Sequence, residues 1–215
     1  MRWSRVVFLT VLVLAAGGCS RAYYSAMEKV GIHKRDIMVD RVEQARDAQK
    51  DGEEQFQSAL EAFQSVTSFD GGDLEDIYKR LNSEYEDSKA AADEISEKID
   101  RIEDVSKAMF REWRDELKAY SSASLKRQSE QQLKATERRY TQLIDAMRTA
   151  ESRIDPVLQV MLDQVLFLKH NLNARAIQSL KTEVPQINAD VDRLLRAMRE
   201  AIAEADAFVA NLREG

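Results

Sequence analysis

The 215-residue sequence is short of the residues that most often carry chemistry. It has one cysteine, Cys19, so no disulfide forms within the chain and stability must come from packing. Its two histidines, His33 and His170, are far apart, and neither belongs to an H-E-x-x-H or another metal-ligand spacing. Glycine-rich phosphate loops and the G-x-S-x-G nucleophile turn are missing, and no spare thiol is left to act as a nucleophile. These absences predict a protein that is not an enzyme and needs no cofactor or metal. Prolines are limited to Pro156 and Pro185, and glycines to seven. No apolar run approaches the roughly 20 residues that cross a bilayer as a helix. The net charge of −6 is a poor match for nucleic acid, whose binding depends on neutralising phosphates.

What is present begins at the N-terminus. Arg2 and Arg5 precede an apolar stretch over residues 6–16, and Gly17 and Gly18 then lead to Cys19. This is the layout of a secretory signal. The stretch Ala16-Gly17-Gly18-Cys19 resembles the bacterial lipobox, where cleavage precedes a cysteine whose thiol takes up diacylglycerol. Small residues there let the peptidase reach the backbone. Position 16 is Ala where lipoboxes most often have Leu, with Leu14 close by. The expectation is a signal peptide over residues 1–18, lipidation at Cys19 and attachment by several acyl chains, each buried CH₂ adding roughly 0.8 kcal/mol. Ser20, in place of Asp, favours the periplasmic face of the outer membrane over the inner membrane. Loss of residues 1–18 removes two arginines and no acid, taking the net charge from −6 to −8.

Beyond Cys19 the sequence predicts an all-α fold. Apolar residues recur at steps of three and four over long distances, the mark of helices packed along a seam. Residues 19–33 read as a membrane-proximal segment, with Ser25 and Glu28 forming a capping box and Gly31 a break. A helix follows over about residues 34–68, with the seam Met38, Val42, Ala45, Gln49, Gly52, Phe56, Ala59, Phe63 and Val66. Gly52, costly inside a helix, suggests close approach of a neighbour. Gly71 and Gly72 stop that helix and Asp73 caps the next, over about residues 74–120. Its outer face pairs Glu75 with Lys79, Asp76 with Arg80, Glu94 with Lys98, Glu97 with Arg101 and Glu103 with Lys107, acid before base. Serines over residues 121–124 suit a cap for a third helix. Asp155 followed by Pro156 reads as a cap with proline at the first helical position, restarting or kinking the helix. Residues 157–172 are the most apolar part, which predicts burial on several sides. Pro185 marks another kink or restart before the last helix. Residues 34–215 therefore form one elongated antiparallel helical bundle, or coiled coil, of three to five long helices.

Two segments stand out as candidate contact sites. The basic stretch over residues 31–36 suits anionic headgroups or cell-wall polymer, or is an ordinary helix entry. The polar cluster Lys169, His170, Asn171, Asn173 and Arg175 is a candidate partner-binding site, or a polar helix end that sets register. In residues 23–36 (YYSAMEKVGIHKRD) and 165–174 (VLFLKHNLNA) the chain resembles the family called domain of unknown function 2959. The resemblance covers nearly the whole chain after Cys19. It implies an envelope lipoprotein with coiled-coil character, and no activity, because none is established for the family. The functional expectation is a structural or adaptor protein, with the membrane as one partner through Cys19 and a protein, or a second copy, as another. The alternative is a binding module holding a hydrophobic ligand between helices, using residues 157–172.

Overall fold

The computed structural model describes residues 24, 27, 33–66, 74–171 and 173–214. The signal segment, Cys19, the Ser25–Glu28 capping box, Gly31 and the turn with Gly71, Gly72 and Asp73 lie outside the described residues. Among those described, all regular structure is helical: α1 (Lys34–Ser65), α2 (Leu74–Glu116), α3 (Ala123–Glu151), α4 (Ile154–His170) and α5 (Ala174–Glu214).

His33 precedes α1 in an extended conformation, and the Asp36 carboxylate accepts its backbone N–H at 3.3 Å. The predicted seam of α1 is buried along its whole length, from Met38 to Val66. Gly52 does mark a close approach: a Cβ there would lie 2.7 Å from Ile95 Cδ1 of α2 and 3.4 Å from Met198 Cε of α5. Four of the five expected acid–base pairs form on α2, between Glu75 and Lys79, Glu94 and Lys98, Glu97 and Arg101, and Glu103 and Lys107.

Helix α2 stops at Glu116, short of the expected residue 120, in a turn where Lys118 and Ala119 donate to the carbonyls three residues back. Ser122 caps α3, its hydroxyl accepting from the Leu125 N–H at 3.4 Å. The turn is thus confined between that cap and buried Leu117, the residue just after α2.

A helix restarts around Pro156, one of the two outcomes expected there, but its cap is not Asp155, and no restart falls at Pro185. The break falls at Ser152 and Arg153, so Pro156 is the third residue of α4 and Asp155 is not its cap. A proline ring clashes with the carbonyl four residues back, here that of Ser152, while first-turn N–H groups have no helical partner to lose. The helix therefore restarts just early enough to put Pro156 in its first turn. Pro185 neither ends nor restarts a helix: α5 runs through it. Val184 and Ile187 on either side are buried, and that burial offsets the loss of one backbone bond.

Four rods result: α1, α2, the broken rod α3–α4, and α5. Bridges across the helices fix their directions. Lys34 at the start of α1 meets Glu112 near the end of α2 at 2.9 Å, and Gln55 meets Glu84 at 3.1 Å. Glu43 pairs with Arg213 and Gln64 with Asn188, so α5 is antiparallel to α1. Arg148 of α3 reaches Asp100 and Glu103 of α2, at 2.6 and 2.8 Å. Helix α4 packs on α2 and α5. The arrangement is up-down-up-down, and the 43 residues of α2 span about 65 Å at about 1.5 Å per residue. The core runs the length of the bundle, with Phe56, Phe63, Ile95, Ile99, Met147, Met161 and Leu194 among its fully buried members. Four polar residues are buried within it, Gln49, Ser88, Ser106 and Thr136. Both amide atoms of Gln49 and the hydroxyl of Ser88 are buried without a partner.

Candidate functional site

The helix directions put the two candidate segments at opposite ends of the bundle. At one end lie the start of α1 and the ends of α2 and α5; at the other lies the turn from α4 to α5.

The α4–α5 turn contains the polar cluster. Lys169 and His170 are exposed in the last turn of α4, where cations complement the helix dipole. Asn171 closes the helix: its N–H bonds the Leu168 carbonyl at 3.1 Å and its Nδ2 bonds the Phe167 carbonyl at 2.9 Å. Asn173 donates its N–H to the Asn171 carbonyl at 2.7 Å, and its own carbonyl accepts from Ile177 at 3.4 Å, starting α5. Arg175 follows in the first turn of α5, and its side chain lies outside the described residues. The two asparagines therefore build the turn, and the described side chains of the cluster do not converge on a pocket.

What reading the sequence missed here is apolar. Residues 157–172 were expected to be buried on several sides. Instead, Val157, Met161, Val165 and Leu168 face the core while the adjacent Leu166 and Phe167 are 44% and 39% exposed. Among the described residues, helix α4 has α2 and α5 as its main neighbours and nothing comparable on its remaining side. Gln159 and Asp163 mark the outward face, but Phe167, the next position four residues on, is apolar and breaks that pattern.

At the opposite end, a cleft of about 660 Å³ is lined by Met109 and Trp113 of α2, Arg139 of α3, Leu212 of α5, and His33 and Lys34. Trp113 Nε1 donates to Ser129 Oγ at 2.8 Å, fixing the indole across the α2–α3 pair. Of the basic segment, Lys34 is largely covered and bound to Glu112, and Asp36 caps α1; His33 and Arg35 stay exposed. The segment is thus mainly a helix entry that leaves two side chains at the surface.

Two of the shifted ionisations, at Arg148 and Tyr140, belong to contacts between helices. Partial burial disfavours the Arg148 charge, but the hydrogen bonds it donates to Glu151, Asp100 and Glu103 outweigh it and raise its pKa. Burial raises the Tyr140 phenol, opposed by a bond to Ser106, and its ring stacks edge-on against Phe110 at 5.4 Å. Among the described residues, no three His, Cys, Asp or Glu side chains come together to hold a metal, and no helix is long and apolar enough to cross a membrane.

The model of the family described as protein of unknown function (DUF2959) matches residues 23–212. No match was found among curated proteins or among solved structures.

Proposed function

The chain belongs to this family, protein of unknown function (DUF2959), and on that premise we propose that it is a lipid-anchored protein of the bacterial envelope with a structural or adaptor role. Cys19 carries the acyl chains after removal of residues 1–18, and the protein sits on the periplasmic face of the outer membrane. The observation behind the adaptor role is the exposed pair Leu166 and Phe167 at the end of the bundle away from the N-terminal entry. A rod tethered at one end and apolar at the other holds a contact surface away from the membrane. The 41 residues of α5 set that spacing at about 60 Å. Adjacent large apolar side chains are a common nucleus of protein contacts, where aromatic anchors dominate the binding energy.

A photo-reactive amino acid at position 167, cross-linked in intact cells, tests this reading. A discrete adduct that is missing when the same probe replaces Glu94, exposed in the middle of α2, supports it. Equal labelling at both positions, or none at 167, counts against it. The alternative, a hydrophobic ligand between helices, draws on a groove of about 640 Å³ lined by Leu158 and Leu162 of α4. Lys89, Asp93, Arg148, Glu151 and Asp155 also line it, and that charge makes it a poor seat for an apolar molecule.

A further inference from the structure

We propose that the turn joining α2 to α3 rests on the anionic lipid surface to which the N-terminus is tethered, so that the bundle has a second, non-covalent foot on the membrane. This inference rests on the lipid-anchor reading above, and three observations carry it.

The first is exposure. Tyr120 and Leu125, at 42% and 55%, flank the Ser122 cap on the two arms of the turn. Tyrosine and leucine at a projecting tip suit the boundary between headgroups and acyl chains, where an aromatic ring with a polar end is stable.

The second is charge. Residues 117–129 contain Lys118, Lys126 and Arg127 and no acidic residue, within a chain of net charge −6. Lys118 bonds Asp115 at 2.7 Å, and Asp115, Glu116 and Glu130 lie further back along α2 and α3, away from the tip. The tip is therefore the basic end of an acidic rod. Basic residues beside a bilayer are drawn to anionic headgroups and keep their charges in the headgroup layer while their stems lie along apolar surface.

The third is position. Lys34 is bound to Glu112, one helical turn before the end of α2, so the chain enters the bundle beside this tip. Tyr24 is buried in the core, and the five residue steps from Cys19 to it span at most about 18 Å fully extended. The acylated residue thus holds the bundle against the bilayer. The far end, with Leu166 and Phe167, points away from it.

The test uses acylated protein extracted from membranes and reconstituted into vesicles, with a nitroxide on Ser121→Cys at the tip or on Lys169→Cys at the far end. On vesicles of phosphatidylglycerol and phosphatidylcholine, the Ser121 label should be shielded from a water-soluble relaxant and reached by lipid-dissolved oxygen. The Lys169 label should stay in water. Adding Tyr120→Ser with Leu125→Ser should return the tip label to water while the protein remains vesicle-bound and helical by circular dichroism. A Ser121 label as accessible to water as the Lys169 label overturns the proposal. Equal shielding on phosphatidylcholine alone overturns its assignment to an anionic surface. Failure of radiolabelled palmitate to mark the wild-type protein overturns the anchor itself, and with it the orientation of the tip. Palmitate labelling with a water-exposed tip removes the second foot alone.

Discussion

Replacing Gln49 with Met should make this protein more stable. Gln49 continues the three-and-four seam of α1 between Ala45 and Gly52 and is fully buried, yet neither atom of its amide has a hydrogen-bond partner. Burying a polar group without a partner costs about 1–3 kcal/mol by mutational measures. Methionine has the same unbranched length and needs no partner, so the substitution removes that cost without opening a cavity. The expected gain is about 1–3 kcal/mol, which for a chain of this size raises Tm by roughly 2–12 °C. Equilibrium urea unfolding followed by circular dichroism, on a chain lacking residues 1–18 and with Cys19→Ser, measures it. A shift in midpoint without a change in slope assigns the effect to stability. Ser88 of α2 is also buried with its hydroxyl unpaired, and Ser88→Ala supplies a second arm. Additive effects mean two independent defects; coupling between them means a shared bridging water. A Gln49→Met protein less stable than the parent by about 1 kcal/mol or more would refute the reasoning, since the amide would then be satisfied in the folded state. A polar residue in a helical seam also fixes register at a cost in stability. The stabilised variant should therefore be checked for a single oligomeric state by light scattering.

Gly52→Ala sets about 1 kcal/mol of helix propensity against a Cβ placed 2.7 Å from Ile95 Cδ1. Overpacking of this kind costs about 1–3 kcal/mol, so a net loss of up to about 2 kcal/mol is expected in urea unfolding. Ile95→Val, which removes that methyl, should restore the double variant above Ile95→Val alone. Leu166→Ser with Phe167→Ser should change stability by no more than about 1 kcal/mol, because both side chains are exposed, while abolishing cross-links from a probe at position 170. Retained cross-links would show that the apolar pair is not the contact. Cys19→Ala should leave the protein unprocessed or release it from the membrane fraction, read by immunoblot of fractionated cells. Unchanged processing and membrane association would mean that the thiol is not the anchor.

The helices were legible because their signals are local. In α1 the steps from Met38 to Val66 repeat at three and four, and each seam position is buried. The Ser122 cap and four of the α2 ion pairs needed only their near neighbours in sequence. Gly52 announced a close approach because an interior glycine has a cost that packing must offset. The polar cluster after residue 168 was visible, but its asparagines proved to be the parts that build a turn. The exposed Tyr120 and Leu125 carried no such signal, since isolated apolar residues beside a turn look the same whether covered or bare.

The order and period of the residues alone therefore determined that this chain is helical, where its seams run and which family pattern it follows. Those properties depend on backbone propensity and on apolar residues within a turn of one another. Only the tertiary structure decided what happens at Pro185, where buried neighbours carry α5 through a residue that otherwise breaks helices. It likewise decided the sides of α4. A mostly apolar run says that burial is favourable, but the number of helices packed around it determines how much is obtained, and here Leu166 and Phe167 are left facing solvent.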